Sequence, residues 1–585
     1  MPFDKIQLRL KEGLMIDFSI QGIYPPSLQA LVDGKVASRI HSKDASLYNF
    51  SEEAQDCAQN YMGWATLASN PPCPIEEIQA FADEAIAKGL KTVILIGQGG
   101  STQAPMTLTK YNKPDSSYIA FRTLDSVSPV RVRTIMSQCN PEHTIIIQSS
   151  KSGGTIEPSL VMKAVREVLA ESLPVEDIPK HLVAITDPGS DLEKRAKEEG
   201  WAKVFLGEPT VGGRYSALSV FGLVPAALVG MKLSSLIESA REAEALCAID
   251  DLDNPASNLA AFLFDTYERG RDKFSLFTPK RGRVLGLWIE QLVAESLGKN
   301  GLGILPNIEV DSLVLREDPK DRTVITYNTK TDQWDDRQNF NHALEFIDPA
   351  IPQMHFKVLN VEDLAAHFVM WEYAIAMVGY LMKVCPFDQP DVAVAKAEVL
   401  HILAEGAREP EFVEDGLAEV PIGIVEVHIS EALRDKTEEK TLDAALRALF
   451  GSIEPGDYFS FNAFLPFAGE GRREAIEEIR HTVASHYGVA SCLEIGPRYL
   501  HSTGQLHKGG PNKGVYLIIS ADEPKDIEID DDRAQTLGQL AKAQASGDFT
   551  ILSSRGRRCV HVHLPDNSAV SIRALAKAFK KVVYA

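Results

Sequence analysis

Residues 144–160 read "TIIIQSSKSGGTIEPSL". Thr144 to Ile147 form a β-branched run, which suits a buried strand. The run gives way to Ser149, Ser150, Lys151, Ser152, Gly153, Gly154 and Thr155, and a helix-like pattern follows. A strand-to-helix turn points backbone N–H groups at one spot, where the helix dipole favours negative charge. Hydroxyl side chains add donors, and glycines let the backbone approach closely. The segment is therefore a candidate anion cradle. An ordinary strand–turn–helix link with a serine cap has the same composition, so both readings stand on this segment alone.

The same unit recurs on either side. "KTVILIGQGGST" precedes it, and "HLVAITDPGSDLEKRAKEEG" and "KVFLGEPTVGGRYSALSVFGLVPAALVG" follow it. Apolar strands alternating with amphipathic helices predict a parallel sheet covered on both faces, an α/β fold. Ligands of such sheets lie beyond the carboxyl ends of the strands, where these loops converge. A second α/β region starts near Pro255. "KFSLFTP", "RTVITYN" and "MHFKVL" read as its strands, and "VLGLWIEQLVAESLGK" and "LAAHFVMWEYAIAMVGYLMK" as its helices. A third region near Val420, with strands in "GDYFSFNAFLP", "GVYLIIS" and "RCVHVHLP", reads as α+β. The acidic "ADEPKDIEIDDD" reads as a solvated loop.

The chain has 585 residues, enough for about two to four domains. Its 44% hydrophobic and 24% charged residues are those of a globular protein. A net charge of −21 argues against a general nucleic-acid binder, though not against an anionic substrate held by a local positive field. "MPFDKIQLRLKEGLMIDF" lacks the basic and apolar regions of a signal peptide, which leads us to expect a cytoplasmic location. The apolar "SALSVFGLVPAALVGMKL" is broken by Gly222, Pro225 and Gly230, and it reads as a buried helix rather than a membrane span. Seven dispersed cysteines with no CxxC pair fit reduced thiols.

Several motifs bear on chemistry. "GQGGST" is a glycine-rich strand end, but Thr102 stands where the dinucleotide fingerprint needs glycine. His561 and His563 alternate on a strand with no third ligand evident, which favours a structural role over a metal. "VGGRYS" sets Arg214 after two glycines. It is either a surface turn or a guanidinium kept close to an anion. In "WIEQLVAESLGK", Trp288, Leu292 and Glu295 share a helix face just before Gly298. Glu295 is then either an exposed residue in a fraying last turn or a carboxylate in an apolar setting suited to a general base.

In order along the chain, these pieces resemble the phosphoglucose isomerase family. "GQGGST", "SSKSGGTIEP", "VGGRYS", "AESLGK" and "FDQPDVAVAK" resemble its five motifs between Gly97 and Lys396. "WIEQLVAESLGK" and the late "GPRYLHSTGQLHKGGP" (496–511) are most similar to the isomerase half of fused transaldolase–phosphoglucose isomerase proteins. About ninety residues precede the first loop, too few for a transaldolase barrel. There are three departures. Gly154 replaces a hydroxyl residue of the phosphate loop, Asp391 replaces a glycine, and the family's G-x-x-G-Q-H segment is missing between Glu295 and Lys396.

The resemblance implies two sugar-isomerase-type parallel-sheet domains (51–250 and 251–415). They would follow an N-terminal extension (1–50) and precede the C-terminal α+β domain (416–585). It implies interconversion of glucose 6-phosphate and fructose 6-phosphate through a cis-enediol, with no metal or cofactor. Ser101, Ser150, Lys151, Ser152 and Thr155 would hold the phosphate, with Gly100 and Gly213 beside the substrate. Glu295 would move the proton, Arg214 would stabilise the enediolate, and Lys396 would assist ring opening. With the usual histidine missing, His507 in "GQLHK" is the candidate ring-opening acid and His501 the reserve, with Gln505 nearby. The family histidine comes from a neighbouring subunit, so a homodimer is possible; no nucleic-acid or membrane partner is expected. Two alternatives stay open: an isomerase of another phosphosugar such as mannose 6-phosphate, and a non-catalytic sugar-phosphate sensor.

Overall fold

Thr144–Ser149, the strand that empties into the hydroxyl-rich loop, is the middle strand of a five-stranded sheet. In order the sheet is Ala120–Leu124, Thr92–Ile96, Thr144–Ser149, Leu182–Thr186 and Lys203–Leu206. Thr92–Ile96, Thr144–Ser149, Leu182–Thr186 and Lys203–Leu206 pair in parallel. Every residue of Thr92–Ile96 and Leu182–Thr186 is buried, which is why both lack polar alternation. The chain moves from Thr92–Ile96 to one edge, then returns to Thr144–Ser149 and continues to the other edge. The strand order therefore reverses between those two strands. Their carboxyl ends flank a topological switch point, where open α/β sheets bind ligands.

The computed structural model describes residues 16–111, 119–308, 312–329, 334–358, 360–467, 471–529 and 531–584. Most of the N-terminal segment read for a signal peptide lies outside them. The chain forms two compact units. One contains the residues up to Thr123 together with 139–159 and 169–388, and the other contains 124–138, 160–168 and 389–585.

The first unit also holds a second sheet, ordered Asp17–Gln21, Gln353–Val358, Arg322–Thr329, Lys273–Phe277 and Leu305–Ile308. Its last four strands are parallel, and Asp17–Gln21 pairs antiparallel at the edge. Part of the segment read as an N-terminal extension is thus a strand of this sheet. The helix Arg283–Leu297 follows Lys273–Phe277 and buries Trp288 and Leu292 completely. Helix Val220–Leu228 is buried along its whole length, as read for that apolar stretch. Leu364–Met382 is long and apolar enough to cross a membrane, but 89% of its apolar window is buried inside the protein, so it serves as a core helix.

The second unit is built on six strands in the order Phe412–Leu417, Val420–Ile429, Arg558–Leu564, Gly514–Ala521, Tyr458–Phe464 and Ala490–Ile495. The first two are antiparallel, and Val420–Ile429 is antiparallel to Arg558–Leu564. The remaining pairs are parallel and joined by helical crossovers. The α+β reading of this region therefore describes its first strands, while the rest is wound like the two preceding sheets. His561 and His563 are buried in it and joined through Ser520 Oγ at 2.8 and 2.7 Å, and His563 Nε2 reaches Asp522 at 3.0 Å.

Glu494 on Ala490–Ile495 is 2% exposed, and burial pushes its carboxyl up to about 7. A carboxyl raised in the folded state binds protons more tightly there than in the unfolded chain. Its contribution to stability is present below the ordinary value of 4.5 and is lost as pH rises toward about 7. We expect Glu494→Gln to raise the thermal midpoint of the second unit at pH 8 relative to parent, with the gain vanishing at pH 4.5. Calorimetric scans at the two pH values check this, and an equal shift at both would contradict it.

Candidate active site

Two loops meet at the switch point of the first sheet: Gly97–Ser101 after Thr92–Ile96, and Ser150–Thr155 after Thr144–Ser149. They contact each other, since a side chain on Gly97 would meet Ser149 O at 3.0 Å and Ser101 Cβ at 3.2 Å. Helices Gly100–Tyr111 and Ile156–Ala170 start from these loops, so two helix N-termini face this region. Ser101 and Ser150 are buried, Lys151 and Thr155 are half-buried, and Ser152 is exposed. Ser150 Oγ lies 3.5 Å from Thr155 Oγ1. Gly153 adopts φ +69°, and a Cβ there would meet Leu192 N at 2.8 Å, so glycine is required. Gly154 is different. A Cβ there would meet only Ser152 Oγ at 3.8 Å, so nothing in the fold excludes a hydroxyl residue at this position.

The Lys151 ammonium sits 2.6 Å from Asp187 Oδ2 and 3.2 Å from the Glu208 carbonyl. Asp187 lies at the carboxyl end of the neighbouring strand Leu182–Thr186, and its N–H donates to Lys151 O at 3.0 Å. Burial raises the Asp187 carboxyl above its usual range, although Lys151 opposes the shift. An incoming dianion would therefore compete with Asp187 for Lys151.

The third component comes from the segment after Lys203–Leu206. Gly213–Tyr215 form a single tight turn with Arg214 2% exposed. This turn presses on the first loop: a Cβ on Gly100 would stand 1.9 Å from Gly213 O, a contact only glycine permits. Gly213 itself has no atom within 4 Å of where a side chain would begin, so space is open beside Arg214.

Glu295 completes the cluster. It lies in the last turn of Arg283–Leu297, two residues before the helix ends, and packing leaves it 7% exposed. The fraying, solvent-exposed alternative is therefore excluded. Glu295 Oε1 lies 3.3 Å from Arg214 Nη1, and Oε2 accepts from Gln291 Nε2 at 3.0 Å. Arg214 is itself locked. Nε donates to Ser296 Oγ at 2.7 Å, and Nη2 donates to Pro386 O at 2.5 Å and Asp388 O at 2.9 Å. Lys299 is 3% exposed and donates to Cys385 O and Asp388 O, each at 2.6 Å, and to the Asp388 carboxylate. Burial and the nearby Arg214 hold its ammonium below the usual lysine range. The unit thus brings a fixed cation and a buried carboxylate together beside an open space, with the hydroxyl-rich loops reached through Gly100.

A family model described as phosphoglucose isomerase matches residues 75–299, which contain all of these groups up to Lys299. The chain is similar to the phosphoglucose isomerase family over these residues. It is 29% identical over 410 residues to a glucose-6-phosphate isomerase of Mycoplasmopsis pulmonis, covering 63% of this chain and 94% of the relative. It is also 29% identical over 363 residues to a probable glucose-6-phosphate isomerase of Methanococcus maripaludis, with 55% of this chain and 80% of the relative covered. Among solved structures, a glucose-6-phosphate isomerase from Chlamydia trachomatis shares the fold at a TM-score of 0.55 and 16% identity, over 66% of this chain and 89% of that one.

The remaining candidates fall outside residues 75–299, in the second unit. Lys396 is exposed on helix Pro390–Glu405, and His501 is half-buried. Gln505 is fully buried and its amide is used: Oε1 accepts from Asp391 N at 3.0 Å, and Nε2 donates to the Asp391 carboxylate. Asp391, the residue that departs from the family glycine, also pairs with Arg555 at 2.5 Å. It fastens the start of Pro390–Glu405 to the late motif, a structural account of that departure. His507 is 0% exposed, ringed by Tyr458, Tyr499 and Tyr516, and neither ring nitrogen has a hydrogen-bond partner. Burial pushes it down to about 3. An enclosed imidazole that is neutral near pH 7 is a poor proton donor, so the geometry favours His501 over His507 for any acid role.

Proposed function

We propose that this chain interconverts glucose 6-phosphate and fructose 6-phosphate at the Arg214–Glu295 cluster. The observation that carries this reading is the buried Glu295 carboxylate 3.3 Å from a guanidinium that three other protein groups hold in place. Glu295 takes the proton from carbon-2 of the open-chain aldose and returns it to carbon-1. Charge develops on the enediol oxygens between these steps, and the preorganised Arg214 stabilises it without reorganising. Arginine suits this role because it stays charged at any working pH. Ser101, Ser150, Lys151, Ser152 and Thr155 hold the phosphate, helped by the two helix N-termini. A cytoplasmic, homodimeric enzyme is part of the same proposal. The test is turnover of glucose 6-phosphate by the purified chain in a coupled assay, run beside mannose and glucosamine 6-phosphates. Binding without turnover would favour the sensor alternative.

The cradle makes its own prediction. Ser150→Ala and Thr155→Ala each remove a donor that acts in ground and transition states alike. Each should raise KM by about fivefold to a hundredfold with kcat little changed, the effect of losing a hydrogen bond to a charged group. Inorganic phosphate should compete with the sugar phosphate. Unchanged KM in both variants and non-competitive phosphate would remove the cradle assignment.

Ring opening needs an acid at the ring oxygen, and we assign it to His501 or Lys396, the solvent-accessible candidates. His501→Ala or Lys396→Ala should slow turnover of the ring form about tenfold or more, and leave carbon-2 proton exchange in an open-chain analogue within about twofold. His507→Ala should instead act mainly on stability. A ring-selective loss in His507→Ala alone would reverse this assignment.

A further inference from the structure

All seven cysteines are free thiols, but two of them meet. Cys57 on helix Glu52–Tyr61 and Cys385, in the turn after Leu364–Met382, are 9% and 7% exposed. Their sulfurs and an Asp388 carboxylate oxygen all lie within 4.8 Å of one another. The two thiols act directly on each other. This raises Cys57 far above the usual thiol range and lowers Cys385 below it, so Cys385 is the more readily ionised of the pair.

The position of the pair gives it consequence. The turn Cys385–Asp388 supplies three carbonyls to the site: Cys385 O to Lys299, Pro386 O to Arg214, and Asp388 O to both. A movement of Cys385 therefore moves the acceptors that aim Arg214 at Glu295.

We propose that Cys57 and Cys385 form a reversible disulfide that switches off the Arg214–Glu295 site. The regulatory part of the proposal rests on the isomerase reading; the bond itself does not. A peroxide is the oxidant. The Cys385 thiolate attacks one peroxide oxygen, an S–O bond forms, the O–O bond breaks, and the leaving hydroxide takes up a proton to become water. The Cys57 sulfur, losing its proton, then attacks the sulfenic sulfur. The S–S bond forms, the S–O bond breaks, and a second water leaves. Two thiols and one hydrogen peroxide give one disulfide and two waters. A disulfide needs its sulfurs about 2 Å apart. Closing the pair draws the turn toward helix Glu52–Tyr61, and a misplacement of about 1 Å at a catalytic group costs on the order of a hundredfold in rate. A soft metal on the same three groups is a weaker reading, because the Lys299 ammonium already occupies the Asp388 carboxylate.

The experiment uses the full chain, reduced and then treated with hydrogen peroxide in the presence of a chelator. Expected results are a Cys57–Cys385 cross-linked peptide under non-reducing conditions and a fall in kcat/KM of tenfold or more. Dithiothreitol should reverse both. Cys57→Ala should keep the reduced activity, give no cross-link and trap Cys385 as a sulfenic acid reactive to dimedone. Cys57→Ser serves if the alanine variant unfolds. Absence of the cross-link in an active enzyme overturns the pair, and a cross-link with unchanged activity overturns the switch. Inactivation by zinc that a chelator alone reverses, with no cross-link under peroxide, assigns the cluster to metal. A reduced chain with no isomerase activity overturns the functional reading instead, while the peptide map still decides whether the bond forms.

Discussion

Glu295→Gln is expected to lower kcat by about a thousandfold or more while changing KM less than about threefold. The substitution keeps the shape and one acceptor oxygen but removes the group proposed to carry the proton between carbons. The side chain sits in a helix turn with Gln291 on one oxygen and Arg214 on the other; an amide oxygen can still accept from Arg214, and its NH2 meets Gln291 once that amide turns its own oxygen toward it. The cost in stability is therefore modest compared with deleting a partner of a buried pair, which costs about 3–5 kcal/mol. Glu295→Ala would combine both losses and would be harder to interpret. Steady-state kinetics with a thermal scan of the glutamine variant separate chemistry from folding. Turnover within tenfold of parent would remove Glu295 from the mechanism.

How far this site could be read from the sequence differs from group to group, for physical reasons. The strand-to-helix loop was legible because its requirements are local. A strand must end, hydroxyls must follow, and Gly153 must take a positive φ, all within a dozen residues. Arg214 was legible from Gly212 and Gly213, although the packing of its turn was not: a Cβ on Gly100 would stand 1.9 Å from Gly213 O, while Gly213 leaves space open. Glu295 was ambiguous because helical spacing places it on a face without saying what that face meets. Its partner Gln291 and the Arg214 acceptor Ser296 lie on the same helix, but only the tertiary fold brings that helix end to the arginine. The contacts of Lys299 with Asp388, of Asp391 with Gln505, and of Cys57 with Cys385 join distant parts of the chain and leave no periodic signal.

The fold shows the same division. Buried parallel strands such as Leu182–Thr186 announce themselves as unbroken apolar runs. Asp17–Gln21 and Phe412–Leu417 do not, since each lies at a sheet edge with its polar residues in solvent. Leu305–Ile308 is short and contains a proline. His507 is the opposite case. Its motif setting suggested chemistry, yet the second unit uses that segment as a buried hub. Lys508 pairs with Asp548, and Arg557 donates to Lys508 O at 2.8 Å and Gly510 O at 2.7 Å.

Arg214→Lys is the second large effect, and it tests whether shape as well as charge matters at this site. The guanidinium engages four partners in different directions: Ser296 Oγ, Pro386 O, Asp388 O and Glu295 Oε1. A lysine ammonium is a point charge on a flexible stem and reaches only part of this fork. Two consequences follow. Pro386 O loses its short donor in a buried setting and keeps only the 3.5 Å contact from Tyr215, at about 1–3 kcal/mol for a group left unsatisfied, while Asp388 O keeps Lys299, so the thermal midpoint falls. The positive charge also no longer has a fixed position relative to the developing enediolate. Removing one preorganised donor from such a site costs about a hundredfold to a thousandfold in kcat, and the lysine variant should fall in that range with KM changed far less. Ser296→Ala is the control. It removes the Nε contact alone, keeps the charge and the two carbonyl contacts, and should lose tenfold or less. If Arg214→Lys turned over within about threefold of parent, charge alone would be sufficient and the preorganised fork would have no catalytic part. If Ser296→Ala were as impaired as Arg214→Lys, the loss would belong to the packing of the turn rather than to the guanidinium's aim at Glu295.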